Sequence, residues 1–312
     1  MKHPITVLSL NTALDRIEVV SGFATGRVFR AERVLVCPGG KGANVARALR
    51  MLGEPVRITG FLGGSPAPIL RSWCDEAGIG QRWIETAGES RTCVIVVDPS
   101  TAAQSVVNEP GPFITPDELA ALRAELERGL VPDSILCIAG SAPPGVPDTF
   151  YAEVVELARE RGVRTLADVA GSVLRTVVAA HPWALTPNLD EARAAFGGED
   201  DAETLARRLQ AAAGVTILTL GAGGAILATQ GCRYRFTPPS VRTVNAVGSG
   251  DALVAGFLAG VSRGRSPVEA MRLGIACGAS NAARLEPQIG PPEEIDRLES
   301  AVTCECSASS PQ

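Results

Sequence analysis

The stretch Asn245-Ala-Val-Gly248-Ser249-Gly250-Asp251 brings together residue types that can handle a phosphate. Glycines at 248 and 250 let the backbone turn sharply and leave its N–H groups open to a ligand. An apolar, Ala-rich helix follows at once, and its first turn offers unpaired N–H groups and the positive end of the helix dipole. Together these make an anion site, most simply for a phosphate. Asp251 stands at its mouth. It reads either as a helix cap or as a base beside a phosphoryl group in transfer. The loop is not a Walker A loop, because no Gly-Lys-[Ser/Thr] follows, and it lacks the third glycine of a dinucleotide fingerprint.

A second glycine loop, Pro38-Gly39-Gly40-Lys41-Gly42-Ala43-Asn44, repeats this logic. Gly39 and Gly40 would let a sugar hydroxyl approach the backbone, and Asn44 offers both a donor and an acceptor. Lys41 reads either as a mobile positive charge for a phosphate or as a solvated turn residue. Asp15 follows Asn11-Thr-Ala-Leu14 near the end of the first strand. It suits either two neighbouring sugar hydroxyls or a turn cap. Arg27 and Arg91 lie in short-strand segments, and each reads as a fork for a substrate phosphate or as a surface residue.

Three further stretches fit a nucleotide. Asn188 and Glu191 stand three apart after Thr186-Pro187, at a strand-to-helix junction. They would hold Mg²⁺ through water, or simply form a capping box. Thr219, Gly221 and Gly224 close another strand. They offer a hydroxyl and open backbone to ribose or phosphate, or make a tight hairpin turn. Gly278 and Asn281, one helical turn apart, would shape a flat slot for adenine, with helix packing as the alternative use of the glycine.

The elements that must position these residues alternate. From residue 116 onward, strand-like and helix-like segments follow one another, which predicts an α/β fold with a mostly parallel sheet covered by helices on both faces. Ligands in such sheets sit beyond the carboxyl ends of the strands, where the two glycine loops fall. The short strands of segments 15–36 and 91–109 break the alternation. They predict a small β-sheet lid able to keep water from a donor phosphate, inserted in a single domain over residues 1–312. An exposed edge of that lid would pair with a second copy, so a homodimer is expected there.

Composition narrows the partners. The chain has 312 residues, 46% of them apolar, and a net charge of −5. No basic stripe is present, which argues against nucleic acid. No apolar run reaches membrane-spanning length, and the N-terminus lacks the plan of a signal peptide, so the expected setting is the cytoplasm. Eight scattered cysteines include no Cys-x-x-Cys pair and read as small reduced hydrophobes. The tail around Cys304 and Cys306 is expected to fray.

Over roughly residues 4–290 the sequence resembles the ribokinase-like carbohydrate kinases that carry the pfkB signatures. Gly39-Gly40-Lys41-Gly42-Ala43-Asn44-Val45-Ala46 looks like the first signature and Asn245 to Ala252 like the second. Ser9 to Arg16, Asn108 to Pro112 and Gly140 to Gly145 are similar to the hexose-phosphate branch, which contains 1-phosphofructokinase, tagatose-6-phosphate kinase and the minor 6-phosphofructokinase. The resemblance implies ATP with Mg²⁺ and Asp251 as the base. It implies the N–H groups of Gly248, Ser249, Gly250 and Asp251 as the anion hole. It gives Asp15, Gly39, Gly40 and Asn44 to the sugar, Lys41, Arg27 and Arg91 to its phosphate, and Asn188, Glu191, Thr219, Gly221, Gly224 and Asn281 to the nucleotide. The expected activity is phosphorylation of a ketohexose monophosphate, fructose 1-phosphate first. The rivals are the sister sugar phosphates, an unphosphorylated sugar or nucleoside, and a sugar-phosphate-binding regulator without transfer activity. Four residues depart from the branch: Thr12 replaces a Pro, Cys93 an Asn, Ala139 a Ser and Thr186 a Lys. The last removes a charge near the nucleotide phosphates.

Overall fold

The computed structural model describes residues 3–101, 103–198, 200–229 and 231–308. Its elements run β1 (Ile5–Ser9), β2 (Ala13–Val19), β3 (Arg33–Gly39), α1 (Lys41–Met51), β4 (Val56–Leu62), α2 (Pro66–Glu76), β5 (Gly80–Glu85), β6 (Arg91–Asp98) and β7 (Ala103–Asn108). There follow α3 (Pro116–Gly129), β8 (Ile135–Ala139), α4 (Thr149–Glu160), β9 (Arg164–Asp168), α5 (Gly171–Ala179), β10 (Ala184–Leu185), α6 (Leu189–Phe196), α7 (Ala202–Gln210) and β11 (Val215–Thr219). The chain closes with β12 (Ala225–Thr229), β13 (Cys232–Thr237), α8 (Ser249–Ser262), α9 (Pro267–Ala282), α10 (Pro292–Ser300) and β14 (Thr303–Ala308).

Ten strands form the main sheet in the order β14-β13-β12-β11-β10-β9-β8-β1-β4-β5. The strands from β5 across to β11 are parallel, and β12, β13 and β14 add on antiparallel. Central strands such as β8, Ile-Leu-Cys-Ile-Ala, are buried along their whole length, as a strand covered on both faces must be. One core lies between the sheet and α1, α8, α9 and α10, with Val45, Phe257, Ile275 and Leu298 among its members. The other lies under α3 to α7, around Leu122, Phe150, Leu174 and Leu205. The expected three-layer α/β/α arrangement is therefore present.

The helix pair α8 and α9 is packed backbone to backbone. A Cβ at Gly256 would come within 2.8 Å of the Leu273 carbonyl, and one at Gly260 within 2.6 Å of Ala270 Cα. A Cβ at Gly274 would come within 2.8 Å of the Leu253 carbonyl. Only glycine permits this approach, and it fixes the N-terminal turn of α8 against α9.

A separate four-stranded sheet, β3-β2-β6-β7, projects beside the carboxyl ends of the main strands. It is the lid expected from the short strands. Ile17, Ile95 and Val97 form its small core, against Leu35, Cys37, Val247 and Leu285.

Three elements differ from the sequence reading. Residues 80–85 form β5 at a sheet edge, where partial exposure breaks the apolar run that marks inner strands. The second lid strand starts at Arg33 rather than Val28, and residues 20–32 form the connecting loop. The tail expected to fray is β14, paired with β13 from Cys232↔Ala308 to Thr237↔Thr303. Backbone pairing there outweighs a polar composition. Among the described residues no helix is long and apolar enough to cross a membrane.

Candidate active site

A cleft of about 980 Å³ opens where the lid overhangs the carboxyl ends of the parallel strands. Both glycine loops reach it, through Gly40, Lys41 and Asn44 on one side and Gly248, Gly250 and Asp251 on the other. Asn44 and Asp251, 207 residues apart in sequence, meet because α1 packs on α8.

Gly248 caps α8 with φ +81°, a left-handed turn that aims the following N–H groups into the cleft. Asp251 sits in that first turn and is 6% exposed. Asn44 Nδ2 donates to Asp251 Oδ2 at 2.8 Å, while Asn44 Oδ1 has no partner. Burial, reinforced by the charge of Asp168, pushes the Asp251 carboxyl up to about 7; Lys41 and the Asn44 hydrogen bond pull the other way. A carboxylate of that acidity both ionises near neutrality and accepts a proton readily.

The anion loop is braced from behind. Asn281 Nδ2 donates to the Val247 carbonyl at 2.9 Å and to Ser249 Oγ at 3.1 Å. Asn245 Nδ2 donates to the Leu285 carbonyl at 2.7 Å, and Asn245 Oδ1 accepts from Val247 N at 3.0 Å. A Cβ at Gly278 would stand 3.0 Å from the Ser249 carbonyl.

On the lid side, the Asp15 carboxylate lies directly over Gly39, where any Cβ would collide with it. Asp15 is 4% exposed, and burial raises its carboxyl to about 6 against the pull of Arg47 and Arg91. Cys37 and Cys93 flank it in register on the two neighbouring strands. Arg91 lines the cleft, with Nε donating to the Asn11 carbonyl at 3.0 Å.

Several expected residues stand elsewhere or are already engaged. Arg27 is exposed in the loop between β2 and β3, its guanidinium over the Phe29 ring at 5.5 Å, outside the lining of the cleft. Lys41 Nζ is held by Asp168 Oδ1 at 3.0 Å and lies 3.5 Å from Glu191 Oε1. Burial alone would lower the Lys41 pKa, but Asp168, Glu191 and Asp251 outweigh it and raise it. Asn188 and Glu191 line the cleft and also form the capping box of α6. Thr219 lines the cleft, and its strand end bridges to Asn188. Gly221 and Gly224 take positive φ in the turn between β11 and β12 and lie outside that lining. Asn281 is 1% exposed and committed to the anion loop, and Gly278 packs against that loop. Neither forms an open slot.

Sequence reasoning missed Asp168. It ends β9 and faces Lys41, and a carboxylate at the carboxyl end of a parallel strand is the signal that would have found it. It also missed Asn11, a cleft residue whose Oδ1 is buried without a partner. Thr186, noted only as a departure, presents another buried oxygen without a partner to the same cleft.

With this geometry in place, known proteins are informative. The profile of the pfkB family carbohydrate kinases matches residues 6–294. The chain belongs to the pfkB family. It is 33% identical over 305 residues to the 1-phosphofructokinase of Rhodobacter capsulatus, covering 96% of each chain. A possible 1-phosphofructokinase from Thermotoga maritima superposes with a TM-score of 0.88 at 27% identity, covering 98% of this chain and 100% of that one. Ribokinase from the same organism superposes with a TM-score of 0.77 at 22% identity, over 95% and 99% of the two chains, and shares the fold. As a pfkB kinase the protein is a phosphotransferase with an alcohol acceptor. The carboxylates and glycine loops described above line one cleft shared by the lid and the main sheet.

Proposed function

We propose that this kinase transfers the terminal phosphate of ATP to a ketohexose monophosphate, converting fructose 1-phosphate to fructose 1,6-bisphosphate. The observation that carries the reading is Asp251, a buried carboxylate of near-neutral acidity at the open first turn of α8, sharing one cleft with Asp15 and Arg91. In this reading Asp251 takes the proton of the attacking hydroxyl. The N–H groups of residues 248–251 receive the charge of the transferring phosphoryl group, which is where such donors matter most. Asp15, Gly39, Gly40 and Asn44 hold the sugar, and Arg91 takes its phosphate as a guanidinium fork. Lys41 neutralises charge beside the transferring group.

Asn188, Glu191 and Thr219 face the nucleotide. Glu191 and the unpartnered Thr186 hydroxyl are oxygen donors, which suits Mg²⁺ held through water. Mg²⁺ bound there with the nucleotide would neutralise charge on its phosphates. The loss of Lys at position 186 leaves more of that neutralisation to Lys41 and the metal. The lid exposes Val34, Val36 and Val107, at 42%, 52% and 67%. This supports a homodimer formed through the lid, with the whole chain acting as one catalytic domain.

ADP release measured against fructose, fructose 1-phosphate, fructose 6-phosphate and tagatose 6-phosphate tests the reading. Turnover is expected to be fastest with fructose 1-phosphate. Faster turnover of an unphosphorylated sugar, or of either 6-phosphate, would replace the proposed substrate. Sugar-phosphate binding without any ADP release would make the protein a regulator.

A further inference from the structure

Arg47, on α1, does not itself line the cleft, yet its guanidinium joins the two loops that do. One terminal nitrogen donates to the carbonyl of Pro38, the residue that opens the first glycine loop. The other donates to the carbonyl of Pro287. Pro287 in turn sits on the anion loop, since a Cβ at Gly248 would stand 2.9 Å from Pro287 Cβ. The guanidinium carbon stands over the Trp73 ring, 5.4 Å from its centroid, a cation–π contact that adds to its hold. Pro38 belongs to β3 and pairs with Leu14, next to Asp15. One planar fork therefore ties the lid strands around Asp15 to the turn that holds Asp251. A planar guanidinium holds two carbonyls on a rigid fork, where a freely rotating ammonium imposes no fixed geometry between them.

We propose that Arg47 is a positioning residue that couples sugar binding at the lid to the set of the anion loop, and so to nucleotide binding. This rests on the function proposed above. A lid closing on a sugar moves Pro38, and through Arg47 it moves Pro287 against Gly248. The small apolar contact of Ile17, Ile95 and Val97 with Val247 runs parallel to this link, but it lacks the direction that two hydrogen bonds give the fork.

Arg47 also supplies charge. The groups facing Asp15 are Arg47 from α1, Arg91 and Cys93 from β6, Cys37 from β3 and Asp251 from α8, and Glu286 faces Arg47 in turn. Of the two cations, Arg47 does more to hold the Asp15 carboxyl down.

Two variants separate geometry from charge. Binding of a non-hydrolysable ATP analogue is measured by calorimetry with and without saturating fructose 1-phosphate. In the unmodified protein the sugar phosphate is expected to tighten analogue binding at least severalfold. In Arg47→Lys, which keeps the charge but loses the fork, that enhancement is expected to vanish while the Asp15 titration stays in place. In Arg47→Met the enhancement vanishes and the Asp15 carboxyl, followed by ¹³C NMR without any substrate, titrates at least about half a pH unit higher, as loss of a nearby opposite charge demands. A purely structural Arg47 would lower thermal stability in both variants and leave the enhancement intact, which overturns the proposal. An unchanged Asp15 titration in Arg47→Met overturns its electrostatic part. If Arg47→Met does not fold, Arg47→Lys decides the coupling. Absence of sugar-phosphate binding in the unmodified protein refutes the proposed substrate instead, and the NMR titration still tests the charge.

Discussion

The anion loop and the lid meet in one cleft but are held in opposite ways. Residues 245–251 are over-determined: Asn245 and Asn281 brace the loop, Gly278 leaves no room behind it, and α8 is locked to α9 through glycines. The lid has only a small core of its own, Ile17, Ile95 and Val97, and carries exposed valines. The glycine-loop end of the cleft is rigid, which on the proposed function is what electrostatic preorganisation requires. The lid is lightly anchored, which on the proposed function suits an element that closes on the sugar.

Breaking the rigid end at its reactive group is expected to have the largest effect. Asp251→Asn should lower kcat by roughly 10²- to 10⁴-fold, the usual loss for a general base, with both substrates still binding in calorimetry. At the lid, Arg91→Ala should raise KM for the sugar phosphate by about tenfold or more, as loss of a charged hydrogen bond implies, and leave kcat within about threefold. The reverse split, a fall in kcat at unchanged KM, would erase the contrast between the two regions.

Much of this contrast was legible in the sequence. The glycine loops and the alternating strands and helices announce themselves locally, through turn residues and hydrophobic period. The lid strands were visible because they interrupt that period. What escaped is what only tertiary contact creates. Lys41 looked free for a sugar phosphate because Asp168, its partner 127 residues away, carries no motif. Arg47 reads as an ordinary polar residue on a helix. Asn281 looked like a nucleotide contact because its position next to the anion loop is a product of helix packing. The edge strands β5 and β14 lack the continuous apolar runs by which inner strands are read.

Smaller perturbations sharpen the comparison. Gly278→Ala presses a methyl group to 3.0 Å from the Ser249 carbonyl. It should reduce kcat by about threefold to tenfold, the scale of a small misplacement of catalytic groups, and hardly alter KM for the sugar, as steady-state kinetics would record. Smallest is an effect on stability alone. The Asp251 carboxyl is raised from 3.8 to about 7 in the folded protein. Its protonated form is therefore favoured by folding, and that contribution, complete below the unfolded value, is lost as pH rises through about 7. Asp251→Asn should accordingly raise the melting temperature by a few °C at pH 8 and by little at pH 4, as calorimetric scans at the two pH values would show.

The outermost strand, β14, has a practical side. All six of its residues pair with β13, which otherwise would be the rim of the ten-stranded sheet. Truncation before Thr303 would uncover a row of unsatisfied amides on β13, an invitation to stick to another chain. Shortened versions of this enzyme should therefore precipitate in proportion to how much of that final ribbon is cut away, long before the surroundings of Asp251 are disturbed.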